Sequence, residues 1–105
     1  MRHIDYDRNW LITSNGSVFD LGDGSKIAQL FSDTAFLQNI SSDGQYVSFF
    51  NPFDTSVSIY DLNTFSKHQE IVVANQTQEV HLAGGFANMM VLRDLATGFK
   101  RVAID

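Results

Sequence analysis

Cysteine is absent from this 105-residue chain. Disulfides and thiolate metal sites are therefore excluded, no thiol can act as a nucleophile, and stability has to come from packing. Proline occurs once, at Pro52, so no proline-rich linker divides the sequence. Basic residues are scarce, with 7 Lys and Arg against 12 Asp and Glu and a formal net charge of -5. Nucleic acid and anionic membranes select for Lys/Arg patches, so neither is expected as a partner. The sole adjacent basic pair is Lys100-Arg101. No apolar run approaches the ~20 residues of a membrane-spanning helix. The segment MRHIDYDRNW lacks the apolar stretch of a signal peptide, and together with the missing cysteines this gives a cytoplasmic expectation.

Catalytic signatures are missing as well. There is no Gly-x-Ser-x-Gly, no phosphate-cradling glycine loop and no His-x-His or His-Glu-x-x-His spacing. The stretch Asp20-Leu21-Gly22-Asp23-Gly24-Ser25 has carboxylates and glycines but not the alternating acidic spacing and distal Glu of an EF-hand; it reads as a tight turn. His3, His68 and His81 read as surface strand residues. The sequence thus points to no catalytic residue, no metal and no cofactor. The sequons Asn39-Ile40-Ser41 and Asn75-Gln76-Thr77, and the short motif Asn51-Pro52-Phe53, are of the length that arises by chance.

What the chain does have is apolar and aromatic content: 44% hydrophobic residues, with nine Phe, three Tyr and one Trp. That is enough for a folded core burying roughly 65% of the unfolded surface in one domain, residues 1–105. Rings of this kind suit half-buried pleated surfaces. Turn chemistry is evenly spread, at Ser14-Asn15-Gly16, Gly22-Asp23-Gly24, Ser41-Ser42-Asp43-Gly44, Asn51-Pro52, Asn63-Thr64, Gly84-Gly85 and Thr97-Gly98. Short β-rich runs between such turns predict an all-β fold of antiparallel sheets. The strands fall at Arg2–Asp5, Trp10–Thr13, Ser17–Leu21, Lys26–Phe31, Ala35–Ile40, Tyr46–Phe50, Ser56–Leu62, His68–Val73, Thr77–Leu82, Phe86–Leu92 and Phe99–Ile104. Ser56-Val57-Ser58-Ile59-Tyr60 alternates, with Val57 and Ile59 on one face. Helix is the competing reading for Phe31–Ile40 and for Gly85–Ala96, where Ala87, Met89, Met90, Leu92, Leu95 and Ala96 can line a stripe.

A repeat runs through these strands. An aliphatic residue is followed six positions later by an aromatic and then by an Asp-Leu pair: Ile4, Trp10, Asp20-Leu21; Ile40, Tyr46, Asp61-Leu62; Val80, Phe86, Asp94-Leu95. The aromatics lie 36 and 40 residues apart, a period typical of solenoids and propellers. The units span residues 1–32, 33–73 and 74–105. The second, with Ile40-Ser41-Ser42-Asp43-Gly44-Gln45-Tyr46-Val47 and Ser56-Val57-Ser58-Ile59-Tyr60-Asp61-Leu62-Asn63-Thr64, resembles a blade of the WD40-like and YVTN-type β-propellers. The Trp-Asp dipeptide and Gly-His signature of that family are missing; Phe19-Asp20, Tyr60-Asp61 and Arg93-Asp94 stand instead. In that family four antiparallel strands make one blade, and the resemblance implies antiparallel sheets from three propeller-blade-like repeats of about 35–40 residues. A small β-sandwich or barrel is the alternative fold.

Three such units leave open sheet faces, which a homodimer can close. The functional expectation is accordingly a non-catalytic binding protein that associates with itself. The contacts singled out are Phe49, Phe50 and Phe53, which cluster around a turn and either partly face outward, if the strand alternates, or are covered by core on both faces, and Arg93, which replaces an aromatic or aliphatic residue. The alternatives are a carbohydrate or small-ligand module stacking sugars on an exposed Trp10, and a fragment of a larger propeller enzyme.

Overall fold

The computed structural model describes residues 2–32, 39–50, 56–73, 77–82, 89–94 and 98–104, and side chains there except those of Gln78, Met89 and Asp94. These residues form three separate antiparallel sheets. The first is β1(Arg2–Asp5), β2(Trp10–Thr13), β3(Ser17–Asp20) and β4(Lys26–Gln29), in that spatial order. The second is β5(Asn39–Ser42), β6(Tyr46–Phe50), β7(Ser56–Asp61) and β8(Lys67–Val72), again in order. The third is β9(Thr77–Leu82), β10(Met89–Asp94) and β11(Gly98–Ala103). Each sheet is a meander, and its first strand is innermost, since β5 lies against both β1 and β9. The all-β expectation and the division into three repeats hold.

The sheets stack face to face, with a core in each gap. Between the first and second lie Ile12, Val18, Ile40, Val47, Phe49, Tyr60 and Leu62. Between the second and third lie Tyr46, Phe50, Val57, Ile59, Val73, Val80, Leu82, Met90, Leu92 and Ile104. Strand alternation assigns these sets: Ile40 and Phe49 pair across β5 and β6 and look one way, while Phe50 and Val57 pair across β6 and β7 and look the other. Strand β6 is buried along its whole length, which explains why Tyr46-Val47-Ser48-Phe49-Phe50 lacks the apolar-polar alternation of a half-exposed strand.

The repeat is visible atom by atom in its Asp-Leu turns. The Asp20 N–H donates to Ser25 O at 2.8 Å, and the Asp61 N–H donates to Ser66 O at 2.9 Å. The Gly24 and Phe65 N–H groups return to Asp20 O and Asp61 O, both at 2.8 Å. Each Asp carboxylate caps the N–H two residues on, Gly22 at 2.6 Å and Asn63 at 2.7 Å. Each Leu N–H reaches across to the residue before the repeat's aromatic, Leu21 to Asn9 O at 3.0 Å and Leu62 to Gln45 O at 2.9 Å. Even the left-handed position recurs, with φ of 75° at Gly24 and 58° at Phe65. The Asp20–Ser25 stretch is thus the tight turn read from the sequence, and its own carboxylates hold it.

Two competing helix readings fall away, in favour of the strands expected there. The helix reading of Gly85–Ala96 fails over Met89–Asp94, which is strand β10, because Met90 and Leu92 pair with Leu82 and Val80 and fill the core at strand spacing. Asn39–Ser42 is likewise strand, so the helix reading of Phe31–Ile40 fails there; residues 33–38 and 83–88 lie outside the described residues.

Gly44 marks a point where backbone freedom is required. Its φ is 89°, and a Cβ there would lie 2.8 Å from Asp7 Oδ2 and 3.0 Å from Asp7 Cβ. Gly24 shares the positive φ, but a Cβ there meets nothing within 4 Å. Gly24→Ala is therefore expected to cost about 1 kcal/mol, the left-handed strain alone. Gly44→Ala is expected to cost clearly more, which denaturant midpoints of the two variants will compare.

Candidate interaction surfaces

Polar side chains on the innermost strands tie each sheet to the next. From the first sheet, His3 Nε2 lies 2.8 Å from Ser42 Oγ, and Asp5 Oδ2 accepts the Gly44 N–H at 3.1 Å. From the second, Asn39 Oδ1 accepts the Val80 N–H and Ser41 Oγ accepts the Leu82 N–H, both at 2.9 Å. His3 and Asp5 correspond to Asn39 and Ser41 at the repeat spacing of 36. Burial pushes the His3 imidazole below its ordinary pKa, against the opposing pull of the Asp5 charge. His3 is thus an inter-sheet residue rather than a surface one, and Asn39 of the sequon is engaged between sheets.

Arg8 completes the first of these junctions. Its Nε donates to Gly44 O at 2.6 Å and its Nη2 to Asn63 Oδ1 at 2.5 Å, while its backbone N–H donates to Asp5 Oδ1 at 2.9 Å. The guanidinium also lies 5.0 Å from the Trp10 ring centroid, and Phe65 packs on the same ring at 5.7 Å. Trp10 therefore packs against neighbours and the core between the sheets, in the manner the repeat implies. No signal in the sequence pointed to Arg8 or Asp5, because their partners are 36 to 55 positions away.

The two outer sheet faces have no neighbouring sheet among the described residues. On the first sheet, Ile4, Leu11, Phe19 and Lys26 form a row across all four strands. This row points away from the second sheet, and its apolar members join neither core. Leu21 and Leu62 occupy the same place in the same turn, yet Leu62 is 0% exposed and Leu21 40%. The outer face of the third sheet carries two rows, Glu79–Arg93–Phe99 and His81–Val91–Arg101. Phe99 is 74% exposed there.

Of the residues singled out in the sequence, Phe49 and Phe50 are 2% and 1% exposed. They lie on opposite faces of β6, one in each core, so of the two readings it is coverage on both faces that holds. The reason is that the second sheet is covered on both sides. Phe53 lies outside the described residues. Arg93 lies on the outer face of the third sheet and donates from Nε to Glu79 Oε2 at 2.9 Å. That bond, with the Arg93 charge, holds the Glu79 carboxyl below its usual pKa; His81 lies 3.7 Å from the same oxygen. Among the described residues no three His, Asp or Glu side chains are grouped as a metal would require.

The sequence matches no protein-family model and no curated protein. Solved structures do resemble the fold. Kuenenia stuttgartiensis hydrazine synthase superposes with a TM-score of 0.74 at 13% identity, over 97% of this chain and 31% of that one. The β-propeller domain of Myceliophteria thermophila Cps50 (Swd1) gives 0.69 at 14% identity, over 97% of this chain and 38% of that one. Dihydro-heme d1 dehydrogenase NirN, in complex with DHE, gives 0.57 at 16% identity, over 99% of this chain and 27% of that one. The chain therefore spans about a third of the length of the structures it matches, and its three sheets have the architecture of successive propeller blades.

Proposed function

We propose that this chain is a non-catalytic interaction module that pairs with a second copy of itself, the outer face of the first blade meeting the outer face of the partner's third blade. One observation carries the reading: Leu62 is covered by the preceding blade, whereas Leu21, at the same place in the same turn, is 40% exposed and has no blade over it among the described residues. The row Ile4–Leu11–Phe19 around it is an apolar blade face without its neighbour. A two-fold pair repeats that contact twice and closes a ring of about six blades, within the four to eight that propellers use. The fold alone, which also occurs in enzymes, assigns no chemistry.

Light-scattering chromatography over a dilution series tests this. A species near twice 11.8 kDa is expected. Leu11→Asp and Phe99→Asp, one on each outer face, should each give monomers with unchanged circular dichroism. Mixing the two variants should restore a dimer, because one of the two contacts is then intact. A monomer at every concentration, or variants that dimerise like the parent, would overturn the reading.

A further inference from the structure

A second recognition element lies at the side of the third blade and does not depend on how the outer faces pair. In the first two blades the third strand, β3 or β7, is hydrogen-bonded on both sides, to β4 or β8 beyond it. In the third blade β11 takes that place, but it is bonded only to β10, and its other edge has no strand among the described residues. Its side chains are mostly exposed, whereas β7 is largely buried.

Beside this edge is a cavity of about 190 Å³ between the second and third blades, lined by Ile71, Val73, Thr77, Leu92, Lys100 and Val102. For scale, a space of roughly 150 Å³ admits a benzene molecule, so the cavity accommodates one large aliphatic or aromatic side chain. It is continuous with the core between the second and third blades, to which Ile71, Val73, Leu92 and Val102 belong or on which they pack. In the first blade, the fourth strand and the residues after it supply Ile27, Ala28, Leu30 and Phe31 to the neighbouring core. The third blade has no such contribution among the described residues.

The edge also carries charge. Lys100 and Arg101 are adjacent on β11, and neither pairs with a carboxylate among the described residues, in a chain of net charge -5. Being neighbours on a strand, they point to opposite faces, Lys100 toward the cavity and Arg101 toward the outer face. Basic residues by themselves can simply shield an open edge. They do not account for an apolar cavity next to it, which asks for a side chain from outside.

We infer that β11 is a docking edge for an extended peptide segment of a partner protein, one that adds a fourth strand to the third blade. Main-chain hydrogen bonds along β11 hold it, an aliphatic side chain enters the cavity, and carboxylates on the opposite face of the added strand meet Arg101. The partner's chemistry is thus an acidic segment with apolar residues at every second position.

The probe is a synthetic peptide of alternating Val and Glu, added to the isotopically labelled chain carrying Leu11→Asp so that blade-face pairing does not interfere. Amide signals of Phe99–Ala103 should shift and their exchange slow as peptide is added. Methylating alternate peptide nitrogens on the pairing edge should abolish binding. The substitution Arg101→Glu should weaken it about tenfold, near 1.4 kcal/mol, and should instead favour an alternating Val-Lys peptide. Val102→Phe, which narrows the cavity, should weaken binding with no change of fold. Equal binding of the methylated peptide, shifts confined to other strands, or no shift at all would overturn the inference, whatever the oligomeric state proves to be.

Discussion

Replacing Phe50 with alanine is expected to remove about 3–5 kcal/mol of folding stability, the usual cost of emptying a large aromatic site in a packed core. Phe50 is 1% exposed and packs in the core between the second and third blades. Domains of this size have only about 5–15 kcal/mol to lose. The variant should therefore melt far below the parent or fail to accumulate folded. Phe49→Ala should be comparably damaging by a different route. Its ring meets Phe31 edge-on at 4.9 Å and Tyr60 at 5.8 Å, in the core between the first and second blades. Thermal unfolding followed by circular dichroism measures both. A contact-surface role for this pair would instead leave the melting temperature unchanged, so the experiment separates the two readings cleanly.

The second large effect is expected at Asp5. This carboxylate is 2% exposed and accepts two backbone N–H groups, from Arg8 on its own turn and from Gly44 on the next blade. Hydrogen bonds to a charged acceptor contribute about 1.5–3 kcal/mol each, and a buried donor left without a partner adds its own desolvation penalty. Asp5→Ala should therefore cost about 3 kcal/mol or more. That corresponds to a drop in melting temperature on the order of 15 °C for a domain near 100 residues. Asp5→Asn keeps one oxygen acceptor in place and should lose markedly less. If both variants melt like the parent, Asp5 does not hold the first two blades together.

Local chemistry in the sequence was enough to place most of the strands. Arg2–Asp5, Trp10–Thr13, Tyr46–Phe50 and Thr77–Leu82 begin and end where the turn residues around them require. The Asp-Leu turns were legible because their defining bonds are short-range, from a carboxylate to an N–H two residues on. The surfaces were not. Which face of a strand is covered depends on the sheet packed against it: the broken alternation of Val47-Ser48-Phe49-Phe50 allows coverage on both sides, but does not say which sheets supply it. The Asp5–Arg8–Gly44–Asn63 junction was hidden for the same reason, as its members look like ordinary turn residues until two repeats are superposed. Met89–Asp94 was ambiguous because Met and Leu satisfy helix and strand spacings alike, and the choice was made by Val80 and Leu82 across the ladder.

The face-to-face stacking has a consequence for how the molecule comes apart. Each blade touches only its immediate neighbours, so its stability is a sum of its own folding and the couplings on its two sides. The middle blade has both couplings; the outer two have one each. In a single, unpaired copy opening is therefore expected from the ends inward, with β6 the last strand to surrender its amide protons. A further blade seated on either end would raise the stability of the whole array without altering a single bond inside it.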